Sequence, residues 1–181
     1  MTRLSESASI GPVLDLACGR GRHALAAADL GLSVLAVDRN RDFLDRLAAS
    51  GSSQLDDRID STQDADDVGR IETLCADLES QAPPALEPAS FGAVLVFRYL
   101  HRPLFPWIES LVAPGGFILY ETFTLAQKKL GWGPRRDAFL LESGELPRLF
   151  SELVVEFYEA GPSNDEPSAQ TARLLASRPL R

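Results

Sequence analysis

The residues best placed to do chemistry are Asp15, Gly19 and Gly21, within Val13-Leu14-Asp15-Leu16-Ala17-Cys18-Gly19-Arg20-Gly21-Arg22-His23. A short apolar run meets an acid and then a turn of small residues, after which Ala24-Leu25-Ala26-Ala27-Ala28 is strongly helix-forming. The pattern predicts a strand, a glycine turn and a helix. Glycine suits such a turn because it accepts positive φ and lets a ligand approach the backbone closely. The turn therefore reads as a nucleotide cradle.

The dinucleotide fingerprint G-x-G-x-x-G uses a third glycine to pack helix against strand, below a pyrophosphate at the helix N-terminus. Here Gly19-Arg20-Gly21 is followed by Arg22, His23 and Ala24, and the first small position is Ala17. Asp15, just before the turn, would repel a pyrophosphate but can accept a hydrogen bond from an ammonium group. S-adenosylmethionine (SAM), with a nucleoside at one end and an amino acid at the other, meets both demands. Asp15 through Gly21 resembles motif I of the class I SAM-dependent methyltransferases. The variant D-L-A-C-G-R-G-R-H is most similar to the branch containing the tellurite-resistance methyltransferases and related small-molecule enzymes. Ala17 departs from the glycine commoner in that family. The resemblance implies that Asp15, Ala17, Cys18, Gly19, Gly21, Arg22 and His23 surround SAM, and that S-adenosylhomocysteine is the product.

The helix over residues 22–30 is expected to stop at Gly31, and Leu32-Ser33-Val34-Leu35-Ala36-Val37 to form the second strand. Asp38 stands at its C-terminal end. An acid about 20 residues past the glycine turn is where nucleotide-binding units hold the ribose diol. The resemblance assigns that role to Asp38, beside Arg39, although Asp38 also fits a helix N-cap. A helix over 41–49 places Phe43, Leu44 and Leu47 on one face. Residues 50–69 read as an acidic, flexible insertion with at most a short helix, and their acids lack the spacing of a calcium loop. Residues 70–75 alternate as a third strand ending in Ala76-Asp77-Leu78, which resembles the family's A-D-L motif. The resemblance gives Asp77 the adenine amino group and the Leu78 amide a ring nitrogen; a loop cap is the plainer role for Asp77.

Phe91-Gly92-Ala93-Val94-Leu95-Val96-Phe97 is apolar throughout, as a central parallel strand buried on both faces must be. It runs into Arg98-Tyr99-Leu100-His101-Arg102-Pro103. Ligands of open α/β sheets sit outside the carboxyl ends of strands, so this cluster is expected to face the site. A helix follows with Trp107, Ile108, Leu111 and Val112 inward. Pro114-Gly115-Gly116, ahead of a strand over 117–121, is another signature of the family. Residues 122–141 suit a substrate loop, residues 143–150 hold a short helix, and strands over 153–159 and 171–177 form an antiparallel hairpin. The implied fold is α/β: a Rossmann-like, doubly wound, mostly parallel seven-stranded sheet with a reversed C-terminal strand, one domain over 1–181. Residues 1–11 are irregular, and the helix that usually precedes the first strand in the family has no counterpart, so the chain reads as truncated or open there.

Phe97 and Arg98 are expected in the cofactor site, and Tyr99, His101, Glu121, Arg135 and Arg136, from their places at the strand ends and on the loop that follows, in the acceptor site. Arg98 and Tyr99 stand where they can equally pack against SAM. With Lys128, the cations at this lip favour an anionic or readily ionised acceptor: a carboxylate-bearing metabolite, a thiol or a metalloid oxyanion. His101 titrates near neutral pH and is the candidate general base, with a turn-capping role as the alternative.

Composition narrows the reading. The 181 residues are 45% hydrophobic and 24% charged, one domain's worth of ordinary globular chain. A net charge of -8 and a pI near 4.8 oppose nucleic-acid binding, and no Asn-Pro-Pro-Tyr element follows the fourth strand. No apolar run is long enough to span a bilayer, and Met1-Thr2-Arg3-Leu4-Ser5-Glu6 lacks the apolar segment of a secretion signal, so a cytoplasmic protein without a membrane partner is expected. Cys18 and Cys75 make neither a disulfide scaffold nor a metal site. The expectation is a methyltransferase acting on a small molecule. A non-catalytic SAM- or nucleotide-binding protein working in a complex is the alternative.

Overall fold

The computed structural model describes Leu4 and residues 8–59, 69–164 and 167–180, with residues 51–59 described in backbone alone. Its strands are β1 (Val13–Leu16), β2 (Val34–Asp38), β3 (Ile71–Cys75), β4 (Phe91–Phe97), β5 (Val112–Phe123), β6 (Val154–Pro162) and β7 (Gln170–Ser177). They form one sheet in the order β3-β2-β1-β4-β5-β7-β6. The pairs β1·β2, β1·β4, β2·β3 and β4·β5 are parallel, while β7 runs antiparallel to both neighbours. This is the expected mostly parallel sheet with one reversed strand.

Period-two alternation sends successive residues of the central strands to opposite faces. Leu14, Leu16, Val94, Val96, Ile118 and Tyr120 bury on one face with Phe105, Ile108 and Leu111 of helix α3 (Phe105–Leu111). Val13, Val34, Ala36, Ala93, Leu95 and Phe117 bury on the other with Ala24, Ala27 and Ala28 of helix α1 (Arg22–Ala28). The alanines let α1 lie close to the sheet and so fix where the preceding turn ends.

Helix α2 (Arg41–Ile59) runs ten residues past the boundary read from the sequence. Ser50-Gly51-Ser52-Ser53 looks like a break, but the Ser50 hydroxyl donates to the Arg46 carbonyl at 2.9 Å, a back-bond that lets serine sit inside a helix. The rest of the expected insertion, residues 60–68, lies outside the described residues, as does most of the irregular N-terminus. The Pro114-Gly115-Gly116 turn falls within β5, where Gly115 has φ +79° and the register against β4 shifts between Phe91 and Ala93. Helix α4 (Glu145–Arg148) is a single turn.

Candidate functional site

Topology reverses beside β1: β2 lies on one side and β4 on the other. In open α/β sheets the crevice outside the strand ends at such a point is where ligands bind. The turn from β1 to α1 occupies that place, with Ala17, Gly19 and Gly21 at φ +54°, +56° and +78°. A Cβ on Gly19 would meet nothing within 4 Å, so the turn presents bare backbone to open space. A Cβ on Gly21 would come within 2.5 Å of both Leu47 methyls, so this glycine packs the turn against α2. Gly21 thereby does the packing job for which dinucleotide sites use their third glycine. Ala17 holds a left-handed conformation that costs an L-residue about 1–2 kcal/mol.

Two carboxylates build the cradle in different ways. Asp38 Oδ2 accepts the Gly19 N–H at 2.8 Å and Oδ1 accepts the Asn40 N–H at 2.8 Å. The capping role at α2 falls to Asn40, whose Oδ1 accepts the Phe43 N–H at 3.1 Å. Asp15 is 1% exposed, behind the turn, and its Oδ2 accepts the Ala24 N–H at 3.0 Å, tying β1 to α1. Burial, reinforced by the nearby Asp38 charge, pushes the Asp15 carboxyl up to about 7 against the pull of that hydrogen bond. Burial, then Asp15 and Asp38, pushes the Cys18 thiol up to about 12, so Cys18 is no thiolate nucleophile.

Beside the turn lies a cavity of about 170 Å³ lined by Ala17, Asp38, Arg39, Ala76, Asp77, Leu78, Glu79 and Tyr99. It gathers Ala17, Asp38, Arg39, Asp77, Leu78 and Tyr99 of the residues singled out in the sequence, and adds Ala76 and Glu79. Asp77 Oδ1 accepts the Glu79 N–H at 3.0 Å, an Asx turn that aims the loop. Three carboxylates against one guanidinium make the lining unsuitable for a pyrophosphate. They suit a neutral nucleoside carrying hydroxyls and an amino group on a positively charged chain. The residues present thus fit SAM.

The lip differs from a cluster of free cations. Arg98, at φ +59°, donates its backbone N–H to the Glu121 carbonyl at 2.8 Å. Its guanidinium lies 3.3 Å from Glu121 Oε1 and over the Phe123 ring at 4.6 Å. Lys128 pairs with Asp137, and Arg135 donates to the Gly131 carbonyl at 3.0 Å. Arg136 and Arg22 are exposed. His23 stacks on Phe97 with centroids 3.7 Å apart, bracing α1 against the end of β4. His101 precedes the turn Arg102–Leu104, makes no side-chain cap bond there, and is not among the residues lining the cavity.

Two residues hold the loop over 122–141: Arg102, which the sequence placed in the cluster facing the site, and Gln127, which carried no sequence signal. Arg102 grips Glu145 at 2.5 and 2.9 Å and donates to the Ala138 and Leu140 carbonyls, each at 2.9 Å. The pair lowers the Glu145 pKa through that hydrogen bond. Fully buried Gln127 donates to the Trp132 carbonyl at 3.0 Å and accepts the Gln170 N–H at 2.7 Å, fastening the loop to β7.

No described helix is long and apolar enough to cross a membrane. No curated protein matches the sequence. Among solved structures, TehB from Haemophilus influenzae superimposes with a TM-score of 0.68 at 18% identity, covering 98% of this chain and 62% of that one. The chain therefore spans under two thirds of the length of TehB. A SAM-dependent methyltransferase from Methanosarcina mazei gives a TM-score of 0.70 at 14% identity over 94% of this chain and 93% of that one. One from Mesorhizobium loti gives 0.65 at 19% over 93% and 92%. A family model described as a methyltransferase domain matches residues 14–119, more than half of the chain and all of the cradle. By that match, on this sheet and this turn, the chain belongs to the methyltransferase-domain family.

Proposed function

We propose that the protein binds SAM across the turn after β1 and transfers its methyl group to a small molecule held at the lip formed by β4, β5 and the loop over 122–141. The observation that carries this reading is the acidic cavity joined to an open glycine turn: Asp38 anchors the Gly19 amide while lining the space next to it. Asp38 and Asp77 would hold the ribose hydroxyls and the adenine amino group, and Gly19 would let the amino-acid end approach the backbone. Bound there, SAM supplies an electrophilic methyl on a sulfonium together with its leaving group. The remaining work of this chain is to hold the acceptor in line and exclude water, which is positioning rather than bond-making.

The charge balance at the lip bears on the acceptor class. Arg98 is answered by Glu121 and Lys128 by Asp137, so the attraction for an anion is weaker than the sequence alone implies. We accordingly favour thiol and neutral acceptors over metalloid oxyanions and carboxylates. The net charge of -8 argues against nucleic-acid substrates, and the half-buried free cysteines fit a cytoplasmic setting. The test is an acceptor screen scored by S-adenosylhomocysteine release, with thiols, neutral small molecules, carboxylates, metalloid oxyanions and bulk RNA as arms. Turnover confined to RNA would overturn the small-molecule reading. Turnover confined to the oxyanions and carboxylates would overturn the preference among small molecules.

A further inference from the structure

The hydroxyl of Tyr99 stands in the cavity wall with no role in the site described above. Tyr99 lines the cavity beside Asp77 and Glu79, yet its oxygen is buried and has no hydrogen-bond partner among the described residues. Its backbone is held in place, because the Tyr120 hydroxyl donates to the Tyr99 carbonyl at 2.9 Å and Tyr120 is itself 1% exposed. Burial and the neighbouring carboxylates raise the Tyr99 pKa, so the group is a standing O–H donor. An unmet buried hydroxyl is destabilising, and folded proteins seldom keep one without a use.

We infer that Tyr99 is a specificity-determining contact for the cofactor, its hydroxyl donating to a ring nitrogen of the adenine while Asp77 accepts from the exocyclic amine. The inference rests on the SAM reading above. The Asp77 carboxylate takes the Glu79 N–H on Oδ1 and its backbone carbonyl the Ser80 N–H, which leaves Oδ2 as an acceptor among the groups lining the cavity. An acceptor and a donor side by side match an edge that presents an amino group next to a ring nitrogen. A base with a carbonyl in place of the amine would set oxygen against the Asp77 carboxylate. The pair thus reads adenine and rejects a 6-oxo purine.

The test compares wild type with Tyr99→Phe, which keeps the ring and removes only the oxygen. Two readouts are taken without turnover. In the ligand-free protein, Tyr99→Phe is expected to melt at the same or a higher temperature, because a buried unmet donor is gone. In calorimetric titrations, Tyr99→Phe is expected to bind S-adenosylhomocysteine about tenfold more weakly. Against the 1-deaza, 3-deaza and 7-deaza analogues, the difference between the two proteins should vanish for either the 1-deaza or the 7-deaza compound, whose missing nitrogen neighbours the amine, and persist for the other two; a difference that vanishes for the 3-deaza compound overturns the inference. Equal affinity of the two proteins for S-adenosylhomocysteine overturns the inference, as does a loss of the same size with all three analogues. A lower melting temperature for ligand-free Tyr99→Phe also overturns it, since the hydroxyl would then be serving the fold. Failure of wild type to bind S-adenosylhomocysteine at all would instead remove the SAM reading on which the inference stands.

Discussion

Asp38 ties the cradle to the cavity, and replacing it separates the two roles. Asp38→Ala removes two hydrogen bonds from backbone N–H groups to a carboxylate, those of Gly19 and Asn40 at 2.8 Å each. Bonds to charged groups contribute about 1.5–3 kcal/mol each. Asn40 is exposed and its amide regains water, so the stability loss should sit near the contribution of the Gly19 bond alone, about 2 kcal/mol. The ribose contact is lost in addition, and a turn left without its anchor must be ordered again on binding. Affinity for S-adenosylhomocysteine should therefore fall by on the order of 30-fold to 300-fold, about 2–3.5 kcal/mol. Asp38→Asn keeps one carbonyl oxygen for Gly19, and its stability should return most of the way while affinity stays reduced. Urea unfolding gives the first quantity and titration calorimetry the second. The reasoning is refuted if Asp38→Ala folds and binds as wild type does, or if Asp38→Asn and Asp38→Ala are equally unstable.

The two glycines of the turn should fail in opposite ways. Gly21→Ala drives a methyl into Leu47 and should cost about 2–5 kcal/mol of stability from overpacking and positive φ together. Gly19→Ala meets open space and should cost only the backbone strain, about 1–2 kcal/mol, while losing cofactor affinity out of proportion; a Gly19→Ala protein that binds normally would contradict the cradle. Ala17→Gly relieves φ +54° and should gain about 0.5–1 kcal/mol after the added chain entropy of glycine is subtracted, seen as a raised melting temperature and contradicted by a lowered one. Asp15 sets a pH dependence. Its carboxyl is held up to about 7 in the folded chain, so between about pH 4 and 7 the folded state keeps a proton that the unfolded state gives up. Stability therefore falls as pH rises through that window and flattens above it. From pH 5 to 8 the loss should be about 3 kcal/mol, and Asp15→Asn, which retains an acceptor for the Ala24 amide, should remove it. Parallel unfolding curves for the two proteins at both pH values would contradict this.

Much of the site was legible because local rules decide it. Apolar runs place β1, β2 and β4, the small residues after β1 mark the turn, and the spacing from Gly19 to Asp38 put an acid at the end of β2. The third-glycine problem was not legible: Gly21 packs on Leu47, which depends on how α2 crosses the turn. The lip misled for a similar reason. Sequence displays the cations of Arg98 and Lys128, whereas their partners arrive through the β4–β5 register at Glu121 and through a loop that folds Asp137 back. Arg102 and Glu145 meet across 43 positions, a distance at which no periodicity speaks. The length of α2 was hidden by a serine run that normally ends helices. Tyr99 was recognised as facing the site, but only packing reveals that its hydroxyl is buried without a partner.

The most direct test of the account is titration calorimetry of the wild-type protein with S-adenosylhomocysteine, followed by NAD under the same conditions. The account predicts saturable binding of S-adenosylhomocysteine at one site per chain, lost or strongly weakened in Asp38→Ala, and no binding of NAD. Saturable binding of NAD with none of S-adenosylhomocysteine would contradict it.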